Sequence, residues 1–565
     1  MSAIRLCIAI SLVAPVGGQG PGPADRLESK YVELATDEPA STTSSKTILG
    51  PVYVSPVDPA NVLIVASGRV TPDYLGDCIN AVTTAATLQL RVNGSLVGSK
   101  SIVDWRPHLG TSAYSPEIHS FHVAWASPLI TGEHVVELVA SAGHYSIGKR
   151  AALSVFVNPC PTLTAQHSSH QGLVDVDVSQ CSLCAQCCGF CSEVCNQDTW
   201  TRINHWQNLA SENVAAVTVP INGVDPVFMI ASGSSSVTVA GPLPTQSCSG
   251  NEPPANMGDA MWGLFLGLGG ENLYKPFPNG PLHFATWSVN DLWEGAELGA
   301  PMFCQGAILF PEDDSPFFAD VDVRLRGTEY PAFTDAGDVY NPVQYSVDPS
   351  TQLIALTGDF AVSGAVATSG TTYPCNGLTS ADLQCSFPCV PAGTTPICRW
   401  CNAWCVASPD GPNCPNPGTQ RVLAEETLLI GPTHDGIVFF SSMIRALGDA
   451  QNAGAARLEI FHELQDPFGV KTIVGSRGVQ TFQSNLCSGA SGTPLGSPES
   501  QRTLCASYLS APPNNLAPGQ YTIRLIGVVH QVNPPLPPPL PPEFFPFTAG
   551  KISFYNDHPI LIYFG

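Results

Sequence analysis

Short β-branched runs separated by turn residues constrain this chain more than any other feature of its sequence. Examples lie at 61–70 (NVLIVASGRV), 87–92 (TLQLRV) and 134–141 (HVVELVAS), with Gly, Asn and Ser between them. Such runs favour strands, and long helical periodicity is almost absent. Asn93-Gly94, which joins LQLRV to SLVGS, is a strong hairpin signal. The pattern predicts an all-β protein with several β-sandwich or jelly-roll-like domains.

A similarity between the two ends of the chain predicts that the first and last domains are related. Segment 131–144 aligns with 518–531, which pairs Gly132 with Gly519 and Leu138 with Leu525. Upstream, NVLIVASGRV aligns with GIVFFSSMIRA, and TLQLRVNGSLVGSKSIV aligns with RLEIFHELQDPFGVKTIV. We therefore expect two related sandwiches with a third β domain between them.

The predicted organisation has six parts. They are a flexible N-terminal arm (1–46), a first β-sandwich (47–158), Cys-rich segment A (159–205), a middle β domain (206–374), Cys-rich segment B (375–420) and a last β-sandwich (421–565) with a Pro-rich loop at 533–547. Residues 1–18 carry Arg5, an apolar stretch and then small residues. This pattern fits a cleaved secretory signal and an uncleaved N-terminus about equally well.

The 20 cysteines are concentrated in two clusters that flank the middle domain. Five in the first cluster recur at helical spacing and would form one stripe on a helix, as would Cys398, Cys401 and Cys405. We expect two short helices that disulfides join into a hub. The cysteines assigned to disulfides are Cys160, Cys181, Cys184, Cys187, Cys188, Cys191, Cys195, Cys375, Cys385, Cys389, Cys398, Cys401, Cys405 and Cys414, with Cys248–Cys304 and Cys487–Cys505 as local bridges.

Metal-bound alternatives for the clusters are weaker. The spacing Cys181-x2-Cys184-x2-Cys187-x3-Cys191 matches ferredoxin ligands, but Ser192 stands where a Pro usually follows. Zinc would need one C-x-x-C pair from each cluster, and this composite site stays an alternative. Disulfides remain the favoured interpretation, with no cofactor, and they indicate an extracellular or virion-surface location.

The charge balance excludes several classes of partner. The net charge is −23, and the 23 basic residues are scattered, which argues against nucleic acid. No apolar run is long enough to span a membrane, so membrane insertion is not expected. Only 12% of residues are charged, which fits broad surfaces covered by contacts in an assembly. We expect a homo-oligomer or other structural subunits of a particle as partners, and a glycan or cell-surface receptor as a further one.

Two groups of residues are candidates for ligand binding. An acidic stretch suits calcium, although a solvated turn is the favoured interpretation. The calcium candidates are Glu312, Asp313, Asp314, Asp320 and Asp322. Trp262, Trp287 and Trp293 could stack on sugar rings if the middle domain binds carbohydrate.

The sequence favours a non-catalytic structural or adhesive protein of an extracellular assembly. A virion component such as a capsid decoration, spike or tail fibre is the expected kind, by analogy at the level of the fold. The alternative is a secreted carbohydrate-binding or carbohydrate-active protein with accessory β-sandwich modules. A redox or metal protein built on the cysteine hub is a third hypothesis.

Overall fold

In the computed structural model, the described residues form 33 β-strands arranged in several separate antiparallel sheets, with no helix. The part of the chain that the structure describes therefore contains no helix that could cross a membrane. The described ranges are 29–56, 59–73, 84–105, 118–129, 132–157, 162–167, 212–220, 227–239, 258–268, 287–289, 297–298, 302–309, 320–334, 339–340, 343–357, 362–365, 403–405, 420–451, 455–483, 485–486, 495–496, 499–532, 549–555 and 560–564.

The first strand set, β1 to β10, forms two sheets. One has the order β1-β10-β4 with β7 paired to the free side of β4, and the other has the order β3-β8-β5-β6. The strands are β1 (Lys30–Glu33), β2 (Glu38–Pro39), β3 (Lys46–Val54), β4 (Ala60–Pro72), β5 (Thr84–Val92), β6 (Ser95–Trp105), β7 (His119–Leu129), β8 (His134–Ala140), β9 (Tyr145–Ile147) and β10 (Ala152–Val157).

The second strand set, β11 to β21, repeats this arrangement. One sheet contains β11-β21-β13 with β17 paired to β13, and the other has the order β12-β18-β14-β15. The strands are β11 (Thr162–His167), β12 (Glu212–Pro220), β13 (Val227–Val239), β14 (Gly258–Leu268), β15 (Trp287–Val289), β16 (Glu297–Leu298), β17 (Met302–Leu309), β18 (Asp320–Thr334), β19 (Val339–Tyr340), β20 (Val343–Val347) and β21 (Gln352–Thr357).

The third strand set, β22 to β33, has the same order again. One sheet contains β22-β33-β25 with β30 paired to β25, and the other has the order β24-β31-β26-β27. The strands are β22 (Val362–Ala365), β23 (Ala403–Cys405), β24 (Gln420–Ile430), β25 (Val438–Gln451), β26 (Ala455–Gln465), β27 (Lys471–Gln483), β28 (Asn485–Leu486), β29 (Leu495–Gly496), β30 (Glu499–Ser510), β31 (Gly519–Val532), β32 (Ala549–Tyr555) and β33 (Ile560–Phe564).

In each set we call the sheet that contains β4, β13 or β25 the inner sheet and its partner the outer sheet. One hydrophobic cluster of the first set contains side chains of both its sheets, including Ile64 and Leu138. The corresponding cluster of the third set includes Phe440 and Leu525. Alternating residues of β4 and β25 supply these clusters, because successive side chains of a strand point to opposite faces.

Strand registers show which residues of the first and third sets correspond. Leu138 lies opposite Leu90 in the first outer sheet, and Leu525 lies opposite His462 in the third. The next rung carries an ion pair in both sets with the charges exchanged. Arg91 Nε lies 2.7 Å from Glu137 Oε2, and Arg524 Nη1 lies 3.3 Å from Glu463 Oε1.

The alignment made from the sequence agrees with these registers in part. Gly132 and Gly519 both have a positive φ, at 118° and 153°. The hairpin alignment is wrong by several residues. Val97 lies opposite Leu90 and Val474 lies opposite His462, so the residue equivalent to Val474 is Val97 and not Val103. An extra stretch in the longer hairpin of the third set explains the slip.

A glycine bulge recurs in the outer sheets. Gly98 in β6 and Gly475 in β27 have φ of 72° and 77°, at sites where the strand register shifts. A Cβ at Gly98 would lie 2.6 Å from the carbonyl oxygen of Ala124, and one at Gly475 would collide with the carbonyl oxygen of Ser507. The bulge lets the serine that follows each glycine face a neighbouring strand.

Some predicted elements differ from the structure. Ala403–Cys405 is a strand paired with β32, so the helix expected through Cys401 and Cys405 is wrong at this point. The helical spacing of the cysteines failed as a predictor because this short segment takes its conformation from the strand with which it pairs. Strand β11 begins within Cys-rich segment A, and β22 pairs with β33 of the last set although it lies in the range of the middle domain. The Asn93-Gly94 hairpin is confirmed.

We expect Gly98→Ala to lower the free energy of unfolding by roughly 2–4 kcal/mol, because it combines left-handed strain with a backbone clash. Gly94→Ala is the matched control, since its φ is also positive at 83° but a Cβ there meets nothing within 4 Å. The control should cost roughly 1 kcal/mol. Urea unfolding of both variants measures the difference, and equal losses would contradict the close approach at Gly98.

Candidate functional site: the buried junction of the three inner sheets

The three strand sets share one hydrophobic core. Its buried members come from the faces of the inner sheets that point away from each set's own outer sheet. They are Leu63, Val65, Ala124, Ala126, Phe156, Phe228, Ile230, Met302, Cys304, Ile354, Leu356, Ile437, Phe439, Met443, Cys505, Leu509 and Ala511. We call this core the central junction.

The contacts around the central junction run in a cycle. Strand β6 of the first set contacts β13 of the second, and β15 of the second contacts β30 of the third. Strand β27 of the third set contacts β4 of the first and closes the cycle. In each case the last strand of an outer sheet meets the inner sheet of the next set.

Equivalent serines close two of the three contacts. Between the first and second sets, Ser99 Oγ donates to Ser232 Oγ at 3.0 Å. Between the third and first sets, the Oγ atoms of Ser476 and Ser67 are 2.6 Å apart. Ser99 and Ser476 both follow the bulge glycines, and both accept a hydrogen bond from the neighbouring strand of their own set. The two contacts therefore use the same local geometry.

A disulfide occupies the third contact. Cys304 of β17 is bonded to Cys505 of β30, at a sequence separation of 201. This pairing replaces the predicted bridges Cys248–Cys304 and Cys487–Cys505. Sequence proximity suggested those bridges, whereas the sheets bring distant strands together at the junction.

The two cysteines and one histidine occupy equivalent positions. His122 lies opposite Ser67, Cys304 opposite Ser232, and Cys505 opposite Met443, each on the strand beside the central strand of its inner sheet. Because Met443 carries no hydroxyl group, the third contact cannot form the serine pair seen at the other two. The disulfide stands in its place.

Two buried histidines have strongly lowered pKa values. Burial lowers the pKa of His122 to about 3, and its Nδ1 lies 2.9 Å from Ser232 Oγ across the first contact. Burial also lowers the pKa of His462 to about 4, and its Nε2 lies 2.7 Å from Ser442 Oγ within the third set. Both rings are fully buried, so these Ser–His pairs have no surface on which a substrate could bind.

More hydrogen bonds cross between the sets around the junction. Ser234 Oγ donates to the carbonyl oxygen of Lys100, and Ser120 Oγ accepts from the backbone N–H of Cys505. His119 Nδ1 lies 3.0 Å from Gln480 Nε2 of the third set. The arrangement is suited to hold three sheet pairs in fixed positions, since apolar packing supplies adhesion and the short polar side chains fix the register.

Most of the predicted site residues lie outside the described residues. This holds for both cysteine clusters except Cys405, and for Cys248, Cys487, Glu312, Asp313, Asp314 and Trp293. Asp320 and Asp322 lie on β18, opposite Pro220 and Thr218. Within the described residues, no group of three or more His, Cys, Asp or Glu side chains is placed to hold a metal ion.

Sequence reasoning missed the junction residues. Two short repeats could have found them. VLIVASG at 62–68 matches VFMIASG at 227–233, and VGSK at 97–100 matches VGSR at 474–477. These four segments contain every serine of the two Ser–Ser contacts.

The exposed large apolar side chains lie beside one hairpin turn of the first outer sheet and the corresponding turn of the third. Among the described residues they are Tyr53, Leu96, Leu429, Phe468 and Val470. Leu96 lies near the start of β6, directly after the β5–β6 turn. Tyr53 lies beside the same turn, because it is paired with Val135, whose carbonyl oxygen accepts a hydrogen bond from the backbone N–H of Asn93. The other three lie beside the β26–β27 turn, where Phe468 is 90% exposed. We call these five residues the apolar rim.

No known family model matches the chain, and no curated protein matches it. Several solved structures show a faint likeness. A CocE/NonD family hydrolase from Staphylococcus aureus has 7% identity over 27% of this chain, with a TM-score of 0.13. The chain covers 34% of the length of that hydrolase, about a third.

Two further structures align with more of the chain. The tandem CBM22 domains of Xyn10C from Paenibacillus barcinonensis have 9% identity over 59% of this chain and 97% of their own, with a TM-score of 0.13. A structure of infectious bursal disease virus, Gx strain, has 7% identity over 96% of this chain and 82% of its own, also with a TM-score of 0.13. Likenesses of this size carry no argument about fold or activity.

We expect acid to destabilise the central junction through His122. Its folded pKa of about 3 lies below the ordinary 6.5, so the unfolded chain takes up the proton first. The contribution of His122 to the free energy of unfolding is therefore fully present above pH 6.5 and is lost as the pH falls towards 3. Between about pH 6.5 and about pH 5 the loss should be about 2 kcal/mol for this group.

Unfolding by urea across this pH range measures the effect. His122→Gln should flatten the pH dependence by that amount, whatever its stability at neutral pH. His434→Gln is the control, because the side chain of His434 is exposed and lies outside the central junction. An unchanged slope in His122→Gln would contradict the burial of a neutral imidazole at the junction.

Proposed function

We propose that this chain is a non-catalytic structural subunit of an extracellular assembly, and that the assembly is a virion in which it acts as a capsid decoration, spike or tail-fibre protein. The observation that carries the proposal is the cycle of contacts around the central junction. Three strand sets of the same order are joined there into one body by apolar packing, hydrogen bonds and a disulfide.

The repeated strand order supports an interpretation as three jelly rolls. Eight strands of each set, four in its inner sheet and four in its outer sheet, follow the same order along the chain. The cyclic contacts support an approximate threefold relation between the sets, so that one chain occupies the place of a trimer. Jelly rolls serve in viral capsids and in lectins, which is an argument by analogy at the level of the fold.

Rigidity is the physical reason why such a body suits assembly. A subunit that is already ordered loses little conformational entropy when it binds its neighbours. The backbone turn that carries Phe468 is itself ordered, because the backbone N–H groups of Phe468 and Val470 both donate to Asp466 Oδ1. We propose that the apolar rim is a contact surface of the assembly.

A substitution in the apolar rim tests this function. Leu429→Asp and Phe468→Asp should each weaken self-association at least about tenfold, because a charge must then be buried in the contact. The measurement is sedimentation velocity over a concentration series, with negative-stain electron microscopy of the assembled fraction.

The control is Thr42→Asp, an exposed position before β3 at the end of that strand opposite to Tyr53. It should leave assembly unchanged. A wild-type chain that stays monomeric at all concentrations, without any other structural subunit that binds it, would overturn the proposal.

Carbohydrate binding is the second candidate function. Strand register places Trp262 of β14 directly opposite Trp287 of β15, so two of the residues expected to stack on sugars are neighbours on one sheet. Directly opposite residues of paired strands carry their side chains on the same face of a sheet, and we propose that these two aromatic residues form a platform for a sugar ring.

We expect Trp262→Ala to abolish glycan binding if this second function holds, because one half of the platform is lost. A glycan array followed by titration calorimetry against the best ligand measures it, with Trp125→Ala as a control in the first set. Binding that is equal in wild type and Trp262→Ala would contradict a site at these residues.

A further inference from the structure

The contact between the second and third strand sets differs from the other two. Ser99–Ser232 and Ser476–Ser67 close the first two contacts with hydrogen bonds. At the third contact Met443 stands where Ser67 and Ser232 stand in the other sets, and the Cys304–Cys505 disulfide joins the two sets covalently. This contact therefore depends on the oxidation state of two sulfurs.

We propose that Cys304–Cys505 is a redox-controlled lock, and that its reduction opens the contact between the second and third sets while the other two contacts stay closed. Closing the lock removes two electrons and two protons from two thiols. A disulfide oxidant such as glutathione disulfide accepts them and leaves as two thiols, and reduced glutathione reverses the exchange.

Burial couples the chemistry to the motion. Cys304 is 4% exposed and Cys505 is 1% exposed, so a thiolate can attack only when the contact opens. Once the disulfide is reduced, the covalent link is gone, and β17 and β30 still share the apolar cluster of the central junction. The bond joins residues 201 apart in sequence, so its loss also frees a long stretch of chain in the unfolded state.

The test is hydrogen exchange by mass spectrometry on the full chain, before and after treatment with reduced glutathione. Peptide mapping after alkylation follows the two cysteines individually. Reduction should speed amide exchange in β17 and β30 by about tenfold or more, and should leave β5 and β8 of the first outer sheet unchanged. The Tm should fall by roughly 5–10 °C.

Two variants separate this lock from the other cysteines of the chain. The double variant C304S/C505S should show the fast exchange without reductant and should not respond further in β17 and β30. Ser442→Ala is the matched control, because it removes a buried hydrogen bond inside the third set and should keep the full response to reductant.

Two outcomes would overturn the proposal. One is an air-oxidised protein in which mapping finds Cys304 and Cys505 unlinked. The other is unchanged exchange in β17 and β30 of the wild-type chain after mapping shows both thiols reduced. This measurement does not need the double variant, so it still decides the question if that variant does not fold. Both outcomes are measured by mass spectrometry on the single chain. They are therefore distinct from a failure to self-associate, which would count against the proposed function.

Discussion

Burial of apolar side chains at the central junction is the interaction on which the rest of the structure depends. The first and third strand sets have internal cores of their own, and the junction is a further core to which all three sets contribute buried side chains. Phe228 and Phe439 are almost completely buried there, and each such side chain contributes roughly 1.5–3 kcal/mol relative to exposure. Without this core the inner sheets would expose an apolar face to water.

Apolar packing is not directional, so other groups must fix how the sets meet. Serine side chains do so at two contacts, because a hydroxyl group is short and allows two backbones to approach closely. Their hydrogen bonds contribute about 1 kcal/mol each in net terms, but a buried hydroxyl without its partner costs more. A shifted arrangement of the sets would leave these hydroxyl groups buried without partners, and that cost is larger than the net stabilisation from the hydrogen bonds in the observed arrangement.

Charges have a smaller part in this protein. The ion pairs Arg91–Glu137 and Arg477–Glu459 lie on the outer sheets and are partly exposed, where such pairs contribute little. The exchanged charges at equivalent rungs show that the same position accepts an ion pair in either direction. A chain with only 12% charged residues can build its contacts from Ser, Gly and aliphatic residues instead.

The sequence by itself determined the all-β class, the Asn93-Gly94 hairpin and the similarity of its two ends, because turn chemistry and period-two hydrophobicity are local properties. It did not determine the partner of Cys304, the strand at Ala403–Cys405 or the junction that buries His122. These depend on which distant strands become neighbours, with separations of 133 residues for Ser99–Ser232 and 409 for Ser67–Ser476. Only the tertiary structure decided them, because the free energy that selects those neighbours comes from burying faces that no single segment can bury alone.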